Sequence, residues 1–343
     1  MTGPFRFTSP VPAKSATGVV ADVYAQLDTD FGIQAPATFT VLSSAPPVLT
    51  ATWALMRESL LAGQTSRTAK ELVATGVSLA NECEFCINAH TMLLYAGGDH
   101  ALAETIGRGE EPADSAQARL LAWGRAIGVP STERPFPPEQ AAEFIGTALA
   151  FHFINRIASA LLSDNSMTDE AQKARFLESA AGRRLSDTIA RELRPGTSLP
   201  VVDTSRQEVA EMRRKFSPSP SPDNSVPRPA ELEEPEWAVG SPIGAAYGAL
   251  REAGAMGAGL LSDSDQAFVR KVVADWDGIT THPSLPEAPS AGARLALLAA
   301  LAPNRITAED VQAWKTPQHS DHCTVHLIAY GAILAVERIE ETL

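Results

Sequence analysis

Apolar residues recur at spacings of three and four along almost the whole chain, and this helical period restricts the possible folds more than any other feature. Alanine is abundant, whereas aromatic residues make up only 6% of the chain. Representative runs are Leu72, Val73, Val77 and Ala80; Leu120, Leu121 and Ile127; and Leu295, Leu298 and Leu301. No segment shows the clear alternation of a half-buried strand. The sequence therefore predicts an all-α protein.

The acidic charge balance restricts the partners of the chain. Asp and Glu number 41 against 28 Lys and Arg, which gives a net charge of −13. Nucleic acids and anionic membranes are bound by basic surfaces, so we predict neither as a partner. Three cysteines are too few for a disulfide scaffold, and an odd number fits a reducing compartment. With no apolar signal region and no run of about 18 apolar residues, we expect a soluble cytoplasmic protein.

A proline- and serine-rich segment divides the chain. Residues 196–236 are dominated by proline, serine and charge, which is typical of a linker or a wrapping arm. The run RQEVAEMRR within this segment has the composition of a short helix. We therefore predict a first domain over residues 1–195 and a second over residues 237–343.

The two predicted domains resemble each other. SAQARL, which begins at Ser115, matches SAGARL, which begins at Ser290, at five of six letters. Two further correspondences are Ser66 with Ser264 and Arg156 with Arg338. The second copy is shorter, and its missing part corresponds to the region that holds Cys83, Cys86 and His90. These matches predict an internal duplication with a degenerate second copy.

One short motif carries the chemistry. Glu71, Cys83, Cys86 and His90 follow the spacing Glu-x11-Cys-x2-Cys-x3-His. If Asn81 caps a new helix, both thiols lie in its first turn, where backbone N–H groups favour a thiolate. Cys86 and His90 then share one face, because they are four residues apart. If the helix that carries Glu71 folds back, a carboxylate and an imidazole can form a proton relay beside a redox-active pair.

This motif resembles that of the AhpD-like alkylhydroperoxidases in the carboxymuconolactone decarboxylase superfamily. The flanks Lys70-Glu71 and NECEFCINAH are also similar, and the resemblance extends over roughly residues 20–165. It implies an all-α fold, a cysteine pair that cycles between dithiol and disulfide, and a homo-oligomeric assembly. The implied reaction is reduction of a hydroperoxide with electrons from a thiol or lipoyl-type reductant protein. We predict no bound cofactor and no metal.

The resemblance also implies roles for the four residues. Cys86 would attack the peroxide, Cys83 would resolve the sulfenate and be more exposed to the reductant, and Glu71 and His90 would move protons. The founding alkylhydroperoxidase has a histidine between its cysteines, where this chain has Phe85. This departure removes one proton carrier and makes the expected pocket more apolar. Glu82 and Glu84 flank Cys83, and their charges oppose formation of its thiolate.

Two other functions remain open. A lyase of the carboxymuconolactone type would work by acid–base chemistry, although such relatives usually lack the cysteine pair. A redox sensor or assembly scaffold would use the helical fold without turnover.

Other reactive residues have structural explanations beside functional ones. A zinc site needs four ligands, and only Cys83, Cys86 and His90 are available locally. His319, His322, Cys323 and His326 would line one helix face, where they bind a metal or simply pack. His152 lies between two phenylalanines and is predicted to be a core or interface histidine, with a role in lining the active-site pocket as the alternative.

Overall fold

The computed structural model of the protein describes residues 4–129, 133–163, 175–176, 178–216 and 234–343. These residues form α-helices and short 3₁₀ and π turns, with two isolated bridges, Phe5–Leu162 and Ala62–Leu193, and no β-strand. The prediction of an all-α fold is confirmed.

The first eight helices extend from the N-terminal region to residue 161. They are α1 (Gly18–Gln26), α2 (Ala37–Thr40), α3 (Pro46–Met56), α4 (Arg67–Ala80), α5 (Glu84–Ala96), α6 (His100–Gly107), α7 (Ser115–Ala126) and α8 (Ala141–Leu161).

The later helices among the described residues begin at Ala180. They are α9 (Ala180–Ile189), α10 (Leu199–Phe216), α11 (Pro242–Ala255), α12 (Asp263–Ala274), α13 (Ala291–Leu301), α14 (Ala308–Trp314) and α15 (Asp321–Glu340).

Helix α8 is the centre of the packing. It is buried along nearly its whole length and contacts α3, α4 and α5 on one side and α11, α13 and α15 on the other. Of the described residues, only the stretch Pro138–Leu161 is long and apolar enough to cross a membrane, and 94% of its apolar window lies inside the protein. Burial of this kind is typical of the core helix of a soluble protein.

Two glycines bring α4 and α7 unusually close together. A Cβ atom at Gly124 would lie 2.5 Å from the carbonyl oxygen of Val73, and a Cβ at Gly76 would collide with the carbonyl oxygen of Leu121. Only residues without a side chain allow two helix backbones to approach this closely. The contact fixes the helix that carries Glu71.

The segment predicted as a linker contains an ordered helix. Helix α10 is longer than the predicted RQEVAEMRR helix, and it packs on α3 and α11. Just before it, Ser198 donates a 2.6 Å hydrogen bond to the buried carboxylate of Glu58, and Arg57 donates to the carbonyl oxygen of Arg194. The part of the predicted linker over residues 217–233 lies outside the described residues.

The predicted duplication stays a prediction. One correspondence shifts in the structure, because Ser66 caps α4 whereas Ser262, and not Ser264, caps α12. Ser290 caps α13, but at the start of α7 the cap is Asp114 and not Ser115.

Candidate active site

A tight turn between α4 and α5 assembles the site. Helix α4 ends at Ala80, Asn81 is its C-cap, and Glu82 has a φ of 51° in the left-handed region. Cys83 is the N-cap of α5, which begins at Glu84. The prediction that Asn81 caps the new helix is therefore wrong. The left-handed Glu82 reverses the chain within two residues, which lays α5 back against α4.

The reversal brings a carboxylate onto an imidazole. Glu71 Oε2 lies 2.6 Å from His90 Nδ1, and Arg67 Nε donates to Glu71 Oε1 at 2.7 Å. Glu71 is 1% and His90 2% exposed. Burial by itself would raise the pKa of Glu71, but the charges of Arg67 and His90 and their hydrogen bonds outweigh it, and the pKa is lowered. The ionised carboxylate holds the proton of His90 on Nδ1 and leaves Nε2 as the basic nitrogen.

The two thiols face each other at the N-terminal end of α5, with Cys83 as the N-cap and Cys86 in the first turn. Cys83 Sγ lies 2.9 Å from Cys86 Sγ, and both cysteines are free thiols. Each residue is only 3% exposed. The prediction that Cys83 is the more exposed of the two is therefore wrong for the reduced protein, because both residues are buried to the same extent in the core.

The surroundings of the two thiols shift their pKa values in opposite directions. A hydrogen bond from the Cys86 thiol, helped by the hydroxyl of Ser159, lowers the pKa of Cys83 despite burial. The nearby charge of Glu84 acts in the opposite direction, as predicted from the sequence. Burial raises the pKa of Cys86 well above its ordinary value, and the Cys83 sulfur raises it further. Cys83 is therefore the first of the pair to ionise.

An apolar cavity of about 220 Å³ lies on the Cys86 side of the pair. Cys86 and His90 are its reactive residues, and Phe85 and Phe151 form part of its wall. The ring of His90 meets the ring of Phe151 edge to face at 4.4 Å. Other lining residues are Phe31, Ile33, Phe39, Met56, Leu60, Met92 and Ile154. Such a lining suits an apolar ligand that carries one small polar group.

A second cavity borders Glu71, the carboxylate of the proposed proton relay. Arg67, Glu71, Thr68 and Asp99 line a space of about 220 Å³ on the far side of α4 and α5. Glu71 therefore borders this space while His90 borders the apolar one. Arg67 is not among the predicted site residues, although its position four residues before Glu71 on one helix is the pattern of an ion pair.

The histidine-rich segment does not form one helix face. His319 precedes α15 and stacks on Trp314 at 4.2 Å, while His322 meets the carbonyl oxygen of Ser44. His326 is buried against His322. Among the described residues, no group of three or more His, Cys, Asp or Glu side chains could hold a metal ion. His152 is buried in the core and lies on the Asn81 side of the turn, so it does not line the apolar cavity.

Comparison with known proteins identifies the family of the chain. The carboxymuconolactone decarboxylase family model matches residues 46–123, which contain all four motif residues. The chain belongs to the AhpD-like alkylhydroperoxidases of the carboxymuconolactone decarboxylase superfamily. It is 34% identical over 343 residues to the alkyl hydroperoxide reductase Rv2159c of Mycobacterium tuberculosis (strain ATCC 25618 / H37Rv), covering 96% of this chain and 92% of the relative. No solved structure matches the chain.

Proposed function

We propose that this protein is a thiol-dependent alkyl hydroperoxide reductase in which Cys83 and Cys86 are the redox pair and Glu71 and His90 the proton relay. One observation carries the proposal. The Glu71–His90 hydrogen bond ends at an apolar cavity that also exposes Cys86, whose sulfur lies 2.9 Å from that of Cys83. The name of the mycobacterial relative supports the same reaction class.

The first step oxidises Cys86. His90 takes the proton of the Cys86 thiol, and the thiolate attacks the terminal oxygen of the hydroperoxide. An S–O bond forms and the O–O bond breaks, with its electron pair leaving on the alkoxide. His90 returns the proton to the alkoxide, which leaves as an alcohol, and Cys86 becomes a sulfenic acid. The carboxylate of Glu71 stabilises the charged imidazole between the two transfers.

The second step closes the disulfide. The Cys83 sulfur attacks the sulfenic sulfur of Cys86, the S–S bond forms and the S–O bond breaks. The leaving hydroxide takes the proton released by the Cys83 thiol and departs as water. A dithiol reductant, such as a lipoyl-type protein, then reduces the disulfide by exchange and is itself oxidised. The lowered pKa of Cys83 suits it to resolve the sulfenate.

Position and acidity favour different thiols as the attacking group. Cys86 lines the apolar cavity with His90, whereas Cys83 does not line it and is the more acidic. We assign the attack to Cys86 because the peroxide must reach the sulfur and because the neighbouring base supplies the ionisation that burial opposes.

The test is a single turnover with an alkyl hydroperoxide in the presence of a sulfenate trap. Cys83→Ser should accumulate a trapped sulfenate on Cys86, while Cys86→Ser should lose peroxide turnover and form no disulfide. Cys323→Ser is the matched control, because it removes the thiol outside the motif, and it should turn over like the parent. A sulfenate on Cys83 in Cys86→Ser would reassign the attacking thiol. Full turnover in both motif variants would contradict the redox proposal.

The lyase alternative has weaker support. A lactone with two carboxylates needs cationic groups around it, and the lining of the apolar cavity contains no Lys or Arg among the described residues. A sensor or scaffold would leave the parent protein without catalytic turnover in the same assay. The predicted homo-oligomer and the cytoplasmic location stay predictions.

A further inference from the structure

A small cavity with a mixed polar and apolar lining lies beside the turn that carries Cys83. It measures about 40 Å³, which leaves room for a few non-hydrogen atoms. Asn81 and Ser159 form its wall on the side of the cysteine motif, and Trp276, Thr281 and His282 close it from the later part of the chain. Thr281 Oγ1 fixes this closure with a 3.0 Å hydrogen bond to the carbonyl oxygen of Ala80.

The charge of this wall is opposite to that of the whole chain. Its ionisable side chains are Arg125, Arg156, His152 and His282, and no Asp or Glu belongs to it among the described residues. The protein as a whole has a net charge of −13. Glu82 reaches within 3.5 Å of His282 but is itself exposed and lies outside the wall.

Arg156 is a buried cation without a carboxylate partner in the described part of the chain. It is 5% exposed, and burial lowers its pKa to about 10. Its guanidinium donates to uncharged acceptors, which are the carbonyl oxygens of Ala300 and His152, both at 2.8 Å, and the amide oxygen of Asn81 at 3.4 Å. Burying a cation is costly unless a negative charge compensates it.

His152 holds the guanidinium of Arg156 in place. Burial and the charge of Arg156 lower the pKa of His152 well below 6.5, so the ring is neutral at pH 7. Its Nδ1 accepts from the Asn81 amide at 3.1 Å and from the Arg156 guanidinium at 3.4 Å, which leaves the ring proton on Nε2. Nε2 lies on the opposite edge of the ring and is itself buried, so the group that can donate to a ligand in the cavity is the Arg156 guanidinium.

We propose that this cavity is a binding site for a small monovalent anion, held by the guanidinium of Arg156. A carboxylate the size of formate and a chloride ion share the chemistry that the site selects. Ser159 belongs to the wall and also donates to the Cys83 sulfur, so a bound anion lies next to the redox pair. Its charge disfavours the thiolate of Cys83.

The test measures binding to the reduced full-length protein, without peroxide. Thermal unfolding is followed while sodium formate or sodium chloride replaces sodium gluconate at constant ionic strength. At least one small anion should give a saturable rise in Tm that gluconate, which is too large for the cavity, does not give. Saturation by formate alone identifies a carboxylate site, and saturation by chloride identifies a halide site.

Three variants separate this site from general salt effects. Arg156→Met removes the charge, and Arg156→Lys keeps the charge and removes the planar fork. Each should weaken the anion at least tenfold. Arg119→Gln, which removes an exposed arginine of α7, should bind as the parent does. If Arg156→Met does not fold, Arg156→Lys decides the question.

A second readout is the midpoint of thiolate absorbance in the parent. It should move to higher pH in the saturating anion and stay unchanged in gluconate. Equal Tm values in all three salts, or parental affinity in both cavity variants, would overturn the proposal. Because no step uses peroxide, this result is independent of whether the protein is a peroxidase.

Discussion

The region from α3 to α8 and the region from α11 to α15 run through similar successions of helices. In each, the first helix continues into a short turn of a different helical type. This is the π turn Arg57–Leu61 after α3 and the 3₁₀ turn Met256–Leu260 after α11. In each, the next helix pairs with a later one, α4 with α7 and α12 with α13. In each, the long final helix, α8 or α15, packs against the first, and the two regions join through contacts of α3 with α11 and of α8 with α15.

The difference lies between the paired helices. The first region inserts α5 and α6 between α4 and α7, and α5 carries both thiols and His90. The second region passes from α12 to α13 through residues 275–290, which contain no helix. That connection lies over the end of α4, where Thr281 contacts Ala80. Helix α5 therefore gives the first region its reactive groups. The corresponding connection of the second region has no such helix and forms only part of the wall of the small cavity beside Asn81.

The largest expected effect comes from removing the carboxylate that only the first region holds. Glu71→Gln should lower peroxide turnover by about 10²–10³-fold, because His90 loses the anion that orients it and stabilises its charged form. Steady-state turnover with an alkyl hydroperoxide measures the effect.

Glu84→Gln is the matched control for this change. It removes an exposed charge that opposes ionisation of Cys83, so it should not slow turnover. An equal loss in both variants would mean that total charge near the motif, and not the relay, controls the rate.

A histidine of the second region should limit stability in acid. Burial, with a smaller contribution from His322, lowers the pKa of His326 from 6.5 to about 4. Between pH 6.5 and about 4, His326 is therefore protonated in the unfolded chain but neutral in the folded protein. The stability is fully present above pH 6.5 and falls as the pH drops towards 4, by roughly 3 kcal/mol in total at 1.36 kcal/mol for each pKa unit.

His326→Leu should remove this part of the pH dependence. Urea unfolding at pH 7 and pH 4.5 gives the measurement, and the variant should lose less stability between the two than the parent does. Equal losses in parent and variant would assign the acid sensitivity to other groups, among them the buried His152 of the first region.

A packing variant tests how tightly the first region holds the helix of Glu71. Gly124→Ala should destabilise the protein by about 1–3 kcal/mol, because its Cβ collides with the backbone of Val73. Gly107→Ala is the matched control, since nothing described lies within 4 Å of its Cβ position. It should be neutral or stabilise by up to about 1 kcal/mol. Similar Tm values for the two variants would show that α4 and α7 can separate without cost.

The smallest effect is expected at the residue between the cysteines. Phe85→His supplies a second proton carrier but makes the cavity wall polar. Turnover of a short-chain hydroperoxide should rise less than about tenfold relative to that of a long-chain one. A preference that moves towards the long-chain peroxide would mean that Phe85 does not contact the substrate.

Much of the site follows from local spacing. The helical period and the four motif residues predict that Cys86 and His90 share a face of α5, and that Glu71 can reach this cluster if its helix folds back. These are consequences of a 3.6-residue repeat and one chain reversal.

The errors arise where tertiary contacts decide the outcome. Asn81 is a good residue for either end of a helix, and only the left-handed Glu82 makes it a C-cap. The equal burial of the two thiols depends on packing from α8, which the motif does not encode. Helix α10 has a polar composition typical of a linker, yet burial of Val201 and Val202 against α3 and α11 orders it.

The central position of α8 has a thermodynamic consequence. Both regions bury their apolar faces against the same helix, so neither can lose its packing while the other keeps its own. The two regions should therefore melt in one transition, with equal calorimetric and van't Hoff enthalpies, and not as two independent domains. In such a molecule, a cavity made in α15 lowers the melting temperature of the thiol site as much as a cavity made in α3.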